Sequence, residues 1–323
     1  MSDKRPIILA IGKASQDVFL TSTKDFQPYL HKGVQYEQLP LGKKLHVDHI
    51  YFSTGGNATN AAVTFARQGL HSKYMWVLGT DTSSQAILSA LDEDDVDTSE
   101  VVQDQHYQPS YSTIILAPTG ERTVLNYMGT DIEKFVRSFD IEGVAKADWL
   151  YLSSVNNMKL LEKIVSLATK NGVKIMMNPS GAELAEPHKL KALLEDIEVI
   201  SLNKEEAQEL VSGETLEELA RHLTHYCTVA IVSDGPNGVV ATDSKTIVRA
   251  GMYEDVKVVD RLGAGDAFSS GFLSQWAVGR SLADSIIFAS ANSTSVVTKI
   301  GAKPGILYAN AKLHSMPLHE KPF

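Results

Sequence analysis

A glycine-rich turn placed directly before a predicted helix is the part of this sequence best suited to chemistry. Residues 260–266 read DRLGAGD, and the two glycines can turn sharply and let a ligand approach the backbone. The free N–H groups and the dipole at a helix N-terminus can stabilise the negative charge that builds on a phosphoryl group during transfer. Asp266 lies at the rim of this turn, where its carboxylate can take a proton from an attacking hydroxyl. The alternative interpretation is that Asp266 only caps the helix.

Two further polar segments suggest recognition of a small ligand rich in hydroxyl groups. Residues 55–62 read GGNATNAA and open another predicted helix; the paired glycines allow close approach, and Asn57 and Asn60 offer hydrogen-bond donors and acceptors. Asp17 follows the first predicted strand, at the edge of an α/β sheet where ligands bind, and its carboxylate can accept two hydrogen bonds from a diol. The alternatives are that the two asparagines cap the helix and that Asp17 is a solvated turn residue.

The composition is that of a soluble globular protein of one large domain or two ordinary ones. The chain has 323 residues, of which 43% are hydrophobic and 21% charged, which excludes a disordered tail, a collagen-like fibre and a coiled coil. A net charge of -9 argues against nonspecific binding to nucleic acid or to an anionic membrane. The one cysteine, Cys227, excludes an intramolecular disulfide and fits a reducing compartment. No apolar stretch approaches the roughly 20 residues of a membrane span and no secretory signal is recognised, so we expect a cytoplasmic protein.

Three well-known motifs are missing, and each absence weakens one function. The sequence contains no G-x-x-x-x-G-K-[ST], which argues against a P-loop kinase. The first predicted strand is followed by GKASQ rather than by G-x-G-x-x-G, which removes the main support for a dinucleotide-dependent dehydrogenase. Neither H-E-x-x-H nor a cluster of histidines is present, so a zinc site is not supported.

Short β-branched runs alternate with helical patterns along the chain, which predicts an α/β protein with a parallel, doubly wound sheet flanked by helices. The predicted buried strands are Ile7–Ile11, Lys73–Leu78, Asp148–Leu152, Val173–Met177, Glu198–Leu202 and Val229–Val232. The predicted helices are Ala58–Gln68, Ser84–Leu91, Leu160–Lys170, Lys204–Val211, Leu216–Tyr226, Ala264–Val278 and Leu282–Thr298.

Two stretches interrupt this alternation, at about residues 16–53 and 106–128. The second reads as a hairpin in which residues 112–117 and 122–127 are joined by a turn at residues 118–120. We expect the two stretches to form a small β-sheet that grows from the edge of the main sheet, within a single domain spanning residues 1–323. The tail, residues 306–323, is predicted to be irregular.

Together these segments resemble the PfkB carbohydrate kinases of the ribokinase-like superfamily over about residues 7–305. Residues 55–60 match the first signature of that family and residues 260–266 match its second, and two linked motifs in this order are far more specific than either alone. Residues 203–206, NKEE, match its N-x-x-E motif, and residues 232–235 resemble its nucleotide-contacting strand end. The resemblance implies the ribokinase-like fold, with the small sheet acting as a lid.

The resemblance also implies roles for individual positions. Asp266 is the implied catalytic base, and the N–H groups of Gly263, Ala264 and Gly265 are the implied anion hole. The implied substrate-binding residues are Asp17, Gly56, Asn57 and Asn60. The implied residues on the ATP side are Asn203, Ser233, Gly235 and Asn292. Hydrated Mg²⁺ would be oriented by Asn203 and Glu206, and a potassium-like ion would lie near Asp260, Leu262, Val296, Lys299, Gly301 and Gly305.

The sequence departs from the family pattern at two positions. Arg261 stands where the second signature commonly has threonine, and its cation could reach an anion of the substrate or nucleotide, or extend into solvent. Asn57 stands where ribokinases and sugar-phosphate kinases often have lysine, which makes a phosphorylated substrate less expected. That substrate class stays open because cations lie in or near the predicted lid, at Lys13, Lys43, Lys44 and Arg122.

The sequence therefore predicts an ATP-dependent kinase that phosphorylates a primary hydroxyl of a small sugar. The alternative is a nucleoside kinase, for example for adenosine, because the same fold and motifs serve both substrates. A nucleoside base would need aromatic residues of the lid as a stacking platform, whereas we expect these aromatics to pack the lid sheet. They are Phe26, Tyr29, Tyr36, Tyr51, Phe52, Tyr107, Tyr111 and Tyr127. A ligand-binding regulator that lost catalysis is a more distant alternative, and the retained Asp266 argues against it.

The lid is also predicted to form a homodimer interface. Exposed sheet edges and apolar patches usually find partners, and related kinases of the ribokinase type pair their lids. We expect the contacts near residues 47–52 and 112–127. The alternative is a monomer whose lid folds back on its own domain, as nucleoside-type members can do.

Overall fold

The computed structural model describes residues 5–119, 121–137, 139–251, 256–313 and 315–323. Within these ranges the strands are β1 (Ile7–Ile11), β2 (Ser15–Thr21), β3 (Tyr29–His31), β4 (Val34–Tyr36), β5 (His49–Gly55), β6 (His71–Met75), β7 (Val77–Leu78), β8 (Val102–Gln103), β9 (Ser110–Leu116), β10 (Arg122–Tyr127), β11 (Trp149–Ser153), β12 (Lys174–Asn178), β13 (Val199–Asn203), β14 (Val229–Ser233), β15 (Val239–Thr242), β16 (Thr246–Ala250) and β17 (Leu318–Pro322). The α-helices of the same ranges are α1 (Asn57–Arg67), α2 (Thr82–Asp92), α3 (Met158–Lys170), α4 (Gly181–Leu184), α5 (Pro187–Leu194), α6 (Lys204–Leu210), α7 (Leu216–Leu223), α8 (Ala264–Trp276) and α9 (Leu282–Val296). None of these helices combines the length and the apolar character that a membrane crossing needs.

A large central sheet has its described strands in the order β17-β16-β15-β14-β13-β12-β11-β1-β6. The strands from β14 to β6 pair in parallel, and β15, β16 and β17 extend one edge with antiparallel pairing. Among the flanking helices, α1 and α9 both contact α8, and α3, α5, α6 and α7 form a second series of contacts. The predicted mostly parallel sheet flanked by helices is thereby confirmed.

The middle strands of the central sheet are continuous apolar runs, which explains their place in the core. β1 is buried from Ile8 onward and β11 along its whole length, the pattern of parallel strands covered on both faces. Directly after β1, a Cβ on Gly12 would lie 1.7 Å from the carbonyl oxygen of Ser153, and the φ of +151° is one that L side chains rarely adopt. Only glycine therefore lets the carboxyl ends of these two strands approach this closely.

Four strands form a separate small sheet in the order β10-β9-β2-β5. β9 and β10 pair as an antiparallel hairpin, so the predicted hairpin is confirmed, although Gly120 of its predicted turn lies outside the described residues. β2 pairs in parallel with β9 and antiparallel with β5. β2 begins shortly after β1 ends, and β5 ends shortly before α1 begins. Two short connections therefore join the small sheet to the central fold.

Two predicted elements differ from the structure. The predicted strand Lys73–Leu78 is divided, because β6 pairs with β1 whereas β7 pairs with β8. The prediction of an irregular tail is wrong for Leu318–Pro322, which forms β17 against β16. Main-chain hydrogen bonds hold this largely exposed edge strand, so its sequence LHEKP lacks the alternation of apolar residues that would predict it. His314, also in the tail, lies outside the described residues.

Candidate active site

A cavity of about 450 Å³ opens beside the carboxyl ends of β1, β11 and β12. Its wall is built from the loop after β1, the start of α1, the turn before α8 and side chains of the small sheet. The residues that give it its character are Lys13, Asp17, Asn57, Asn60, Ser112, Asn126 and Asp266. Because all of these are polar or charged, the cavity offers many hydrogen-bond partners to one small molecule. We call it the polar cavity.

Asp266 reaches the polar cavity from the first turn of α8. Its Oδ2 accepts a hydrogen bond of 2.9 Å from Asn60 Nδ2. Burial raises the pKa of the Asp266 carboxyl to about 6, and the hydrogen bond from Asn60 and the positive charge of Lys303 limit that rise. Such a carboxyl is ionised near neutral pH and is more basic than an ordinary aspartate, as a general base must be.

The alternative that Asp266 only caps the helix does not hold. The N-cap position of α8 is Gly263, and no side chain forms a cap hydrogen bond there. Asp266 lies within the first turn, where its negative charge is favourable to the helix dipole but satisfies no free N–H group. The carboxylate is thus directed to Asn60 and the cavity rather than to its own helix.

The turn before α8 leaves N–H groups free for an anion. Gly263 is left-handed, with φ of +76°, and a Cβ there would lie 2.4 Å from the Cβ of Ala302. A Cβ on Gly265 would meet no atom within 4 Å, so this glycine faces open space. Among the described residues, the N–H of Ala264 has only a long 3.4 Å contact with the carbonyl of Arg261. The three positions predicted as an anion hole are thus the N-cap and first two residues of α8, where the N–H groups of a helix have no partner within the helix.

Asp17 lies in β2 with 4% of its surface exposed, and it contributes to the polar cavity. Ser15 Oγ lies 3.5 Å from each of its carboxylate oxygens. Burial raises the pKa of Asp17, hydrogen bonding from Ser112 and the charge of Lys303 lower it, and nearby Asp260 raises it further. A Cβ on Gly55 would lie 2.3 Å from Asp17 Oδ2, so this glycine makes the room that the carboxylate occupies.

The first signature positions Asn57 and Asn60 at the start of α1. Gly56 has φ of +98°, and a Cβ there would lie 2.4 Å from the carbonyl oxygen of Lys13. Asn57 Nδ2 donates to Ser153 Oγ over 3.3 Å, and Asn60 lies between Asp266 and Lys303. The helix has no side-chain cap, so the alternative that these asparagines cap α1 does not hold.

Lys303 is part of this site, although no motif of the sequence marks it. Its side chain is buried and its ammonium contacts Asn60. Burial lowers the pKa of Lys303 to about 7, against the opposing influence of the carboxylates of Asp17, Asp266 and Asp94. The sequence feature that could have indicated its burial is that this lysine stands in a short run of small and apolar residues, at positions 301–306.

A second cavity, of about 240 Å³, lies at the same turn. Ser233 and Gly235 line it as predicted for the ATP side, together with Arg261, Ala264 and Gly265. The rest of its described lining is mainly apolar and includes Pro236, Val239, Val256, Val258, Phe268 and Val297. We call it the apolar cavity.

Asn292, predicted on the ATP side, does not line the apolar cavity. Asn292 has no exposed surface, its Nδ2 donates to the carbonyl of Ala267, and its Oδ1 accepts from the N–H of Leu307. Both ends of its amide are therefore used to join α9 to α8 and to the tail. The apolar cavity is lined instead by Ser290, Ser293 and Thr294 of the same helix.

Comparison with known protein families matches residues 9–307 to the pfkB family carbohydrate kinases. The chain belongs to this family. Ribokinase of Haemophilus influenzae is 26% identical over 275 residues, which cover 82% of this chain and 88% of that protein. The structure of Arabidopsis thaliana ribokinase complexed with ribose and ATP has a TM-score of 0.76 and 20% identity, covering 95% of this chain and 96% of that one. A nucleoside kinase of Methanocaldococcus jannaschii has the same TM-score with 17% identity and the same coverage.

This pfkB family carbohydrate kinase is an ATP-dependent phosphotransferase that acts on an alcohol group of a sugar. The fold alone does not distinguish sugar from nucleoside substrates, because a ribokinase and a nucleoside kinase resemble it equally.

The N-x-x-E segment of this carbohydrate kinase forms a capping box at the start of α6. The N–H of Glu206 donates to Asn203 Oδ1, and Glu206 Oε2 accepts from the N–H of Asn203, both over 2.9 Å. Burial raises the pKa of Glu206. Asn203 is paired in register with Ser233 of the apolar cavity, so both residues lie beside the predicted phosphate path.

These two residues fit a hydrated magnesium ion. Within the described ranges, no group of three or more His, Cys, Asp or Glu side chains could enclose a metal. Magnesium keeps several waters and commonly uses one or two carboxylates together with the phosphates of its substrate. A single half-buried carboxylate beside the phosphate path is the protein contribution that such a site requires.

Of the residues predicted around a potassium-like ion, Asp260 and Val296 have polar groups that already accept hydrogen bonds. Asp260 accepts hydrogen bonds from the N–H groups of Leu262 and Gly301 at 3.0 and 3.1 Å. The carbonyl of Val296 accepts from the N–H of Lys299 over 3.1 Å. A Cβ on Gly305 would lie 2.5 Å from the Cα of Val296, which shows how tightly this loop is packed.

A cation of the protein also lies at this loop. Arg122, on strand β10 of the small sheet, places a guanidinium nitrogen 3.4 Å from Asp260 Oδ1. The carboxylate predicted to attract a monovalent ion is thus paired with an arginine of the small sheet. The sequence analysis noted Arg122 as a lid cation but did not connect it to Asp260.

Proposed function

We propose that a primary hydroxyl of a small sugar binds in the polar cavity and attacks the γ-phosphoryl group of ATP held at the turn before α8. Asp17, Asn57 and Asn60 would hydrogen-bond the remaining hydroxyls. The adenosine part of ATP would lie in the apolar cavity, with its phosphates passing Ser233 and Gly235. The observation that supports this arrangement best is that the two cavities meet at one turn, which carries both free N–H groups and a basic carboxylate.

The proposed reaction depends on groups that this chain supplies. Asp266 removes the proton from the attacking hydroxyl as the O–P bond forms. The N–H groups of Gly263, Ala264 and Gly265, together with the dipole of α8, stabilise charge on the oxygens of the transferring group. Magnesium held through Asn203 and Glu206 would neutralise charge on the phosphates.

The small sheet is the proposed lid. Its strands span residues 15–21, 49–55, 110–116 and 122–127, close to the predicted stretches 16–53 and 106–128, and we propose that it is part of a single domain. It contributes Asp17, Ser112 and Asn126 to the polar cavity. A lid excludes water, which Asp266 could otherwise activate to hydrolyse ATP.

The lining of the polar cavity favours a sugar over a nucleoside. Within the described ranges, none of its lining residues is aromatic, so a nucleoside base would find no stacking platform there. Of the aromatics in or beside the lid, Phe26 and Tyr107 are buried elsewhere, and Tyr51, Phe52 and Tyr127 are exposed on the surface. The interpretation that these residues pack or cover the lid sheet therefore has more support than a base-binding role.

A substrate panel tests the proposed function. The purified protein is incubated with Mg²⁺ and ATP and with pentoses, hexoses, sugar acids, sugar phosphates or nucleosides, and release of ADP is measured. We expect a pentose or hexose to give the highest kcat/KM, and the Asp266→Asn variant serves as the matched control. Turnover of nucleosides alone would support the alternative substrate class. Binding of a sugar without any ADP release above the control would support the regulator.

The two exposed edge strands of the small sheet, β5 and β10, are the proposed homodimer interface. Ile50, Tyr51 and Phe52 of β5 and Val124 and Leu125 of β10 are each more than two-fifths exposed. Such a patch on the two edge strands usually finds a partner. Light scattering in dilute solution should give a mass near twice the 35.2 kDa of one chain. A mass near one chain would support the monomer.

We also propose that the protein works in the reducing cytoplasm. Cys227, the single cysteine, is buried, and burial raises the pKa of its thiol to about 12, so it is protected from oxidation chemistry. Cell fractionation with antibody detection would place the protein in the soluble or the membrane fraction.

A further inference from the structure

Lys303 is a buried charge to which the roles above give no function. Its residue surface is 6% exposed. Its ammonium donates to the carbonyl of Thr54 over 2.8 Å, and to Thr59 Oγ1 and Asn60 Oδ1 over 3.0 Å each. Burying an ammonium is unfavourable unless its donors are satisfied, and these three bonds use all of them. The lysine is therefore held in one geometry.

This geometry fixes the orientation of the Asn60 side chain. An asparagine amide presents an acceptor at one end and donors at the other, and it can rotate to exchange them. An ammonium can only donate, so Lys303 requires the amide oxygen of Asn60 to face it. The amide nitrogen must then point the other way, toward Asp266 Oδ2 at 2.9 Å. Lys303 in this way determines that Asn60 donates to the base.

The loop that carries Lys303 is itself anchored from behind. Arg67 donates to the carbonyl of Lys303 over 2.8 Å and to that of Ile306 over 3.1 Å. Asp94 holds the same guanidinium through two contacts of 2.6 and 3.0 Å. The backbone and the ammonium of Lys303 are therefore fixed independently, which limits how far Asn60 can move.

The loop that carries Lys303 also contacts Asp260 and the turn before α8. The N–H of Gly301 donates to Asp260, and Ala302 packs against Gly263 of the anion hole. Lys303 acts electrostatically on the carboxylates of Asp17 and Asp266, with Asp94 and Arg67 as the other charged groups that face it. Three consecutive residues thus connect the turn, the base and the substrate side.

We propose that Lys303 is a positioning residue that orients Asn60 and, through it, holds the carboxylate of Asp266 in place for proton abstraction. This inference rests on the proposed function, since it assigns Lys303 to the base of that reaction. Lys303 touches no reacting atom. It positions the base through the amide of Asn60.

The Lys303→Met variant tests the proposal, because methionine keeps the length and the apolar stem but removes the donors. We expect kcat for the preferred sugar to fall by about 10- to 100-fold, the effect of a small misplacement of a catalytic group. The KM for ATP should stay within about twofold, because Lys303 does not line the apolar cavity. The Lys312→Met variant is the matched control, since that lysine is exposed in the same C-terminal part of the chain, and its kcat should equal wild type.

A double-mutant cycle with Asn60→Ala distinguishes positioning from a merely structural role. If Lys303 acts through Asn60, the double variant should have a kcat within about threefold of the slower single variant, because the second change removes nothing new. If the fold-decreases in kcat of the two single variants multiply in the double variant, the proposal is overturned. If Lys303→Met does not fold, Lys303→Gln, whose amide can still donate to Asn60, takes its place and should retain more activity than Lys303→Ala.

A crystal structure of Lys303→Met gives an answer that needs no turnover. We expect the Asn60 amide to rotate or withdraw, so that its bond to Asp266 is lost. An Asn60 side chain unchanged at about 2.9 Å from Asp266 would overturn the proposal. If wild-type protein phosphorylates no sugar, the proposed function fails, and this structural result still decides whether Lys303 orients Asn60.

Discussion

The polar cavity and the apolar cavity meet at one turn, but they are built in different ways. The polar cavity depends on charged and amide side chains that hold each other in place, as Lys303, Asn60 and Asp266 do. The apolar cavity depends on surfaces such as Val239 and Phe268 and on backbone at the turn. Under the proposed function, single side chains would determine sugar binding and catalysis, whereas shape and main chain would hold the nucleotide.

Substitutions in the two cavities should differ in the size of their effects. Removing one member of a buried polar network leaves its partners unsatisfied and is costly. Trimming one apolar wall residue removes only its share of contact area. We therefore expect large and specific effects on the polar side and smaller, graded effects on the apolar side.

The largest effect is expected at Asp266, which lines the polar cavity beside the turn that both cavities share. Asp266→Asn keeps the size of the side chain and its ability to accept from Asn60, but it cannot take a proton. We expect kcat to fall by roughly 10²–10⁴-fold while the KM for ATP barely changes. Steady-state kinetics with varied ATP and sugar measure both. A variant with nearly normal kcat would remove Asp266 from the role of base.

The next effect separates the two cavities directly. Asp17→Ala should raise the KM for the sugar by about 10- to 100-fold, because it removes one or two hydrogen bonds to a charged acceptor. Its KM for ATP should remain unchanged. Phe268→Ala is the matched variant on the other side and should raise the KM for ATP by about 3- to 10-fold without changing that for the sugar. The assignment of the cavities would be contradicted if Asp17→Ala raised the KM for ATP and Phe268→Ala raised the KM for the sugar.

A pH effect of intermediate size is expected on the polar side. Burial raises the pKa of Asp266 to about 6, so the base is lost by protonation below that pH. Between pH 8 and pH 5, kcat/KM for the sugar should fall roughly tenfold. Lys303 becomes more protonated as the pH falls, and Tyr151 stays neutral because burial raises its pKa well above the ordinary value. Burial also raises the pKa of Asp17, whose protonation weakens sugar binding, so the limb that belongs to Asp266 is the one in kcat at saturating sugar. A flat kcat profile down to pH 5 would refute this assignment.

The raised pKa of Asp266 also predicts how the stability of the protein changes with pH. A carboxyl whose pKa is raised by folding stabilises the protein when protonated, and this contribution is lost as the pH rises from about 4 through 6. Asp266→Asn should therefore raise Tm at pH 8, and the gain should shrink toward pH 5. Thermal unfolding at several pH values measures it, and a Tm that falls at pH 8 would show that ionised Asp266 is stabilising.

The smallest effect concerns the potassium-like site. Arg122 already pairs with Asp260, so replacing K⁺ by tetramethylammonium should change wild-type kcat by less than about twofold. Arg122→Met removes the competing cation, and this variant should be activated by K⁺ more than wild type is. Equal activation of both proteins by K⁺ would show that Arg122 does not substitute for the ion.

The sequence predicted the main strands because parallel, doubly covered strands such as β1 and β11 are continuous apolar runs. It also predicted the turn at residues 260–266, because glycines directly before a helix allow a sharp turn at an N-terminus that can bind an anion. β17 was not predictable, because the pairing of an exposed edge strand is decided by a partner far along the chain.

Contacts between distant residues explain what the sequence did not show in the site. Lys303 meets Asn60 across 243 positions, and Arg122 meets Asp260 from the small sheet, so neither pairing leaves a local pattern. The environment of Asn292 was also not predictable from the sequence. An amide in a helix can face either a cavity or a neighbouring element, and here it joins two helices.

The central claim is that sugar and ATP occupy different cavities and meet at Asp266. A crystal structure of the wild-type protein with its preferred sugar and a non-hydrolysable ATP analogue tests it most directly. We predict the reactive hydroxyl about 3 Å from the Asp266 carboxylate, and the terminal phosphate of the analogue at the N–H groups of Gly263 and Gly265. A sugar bound away from Asp266, or an adenine base found in the polar cavity, would contradict the account.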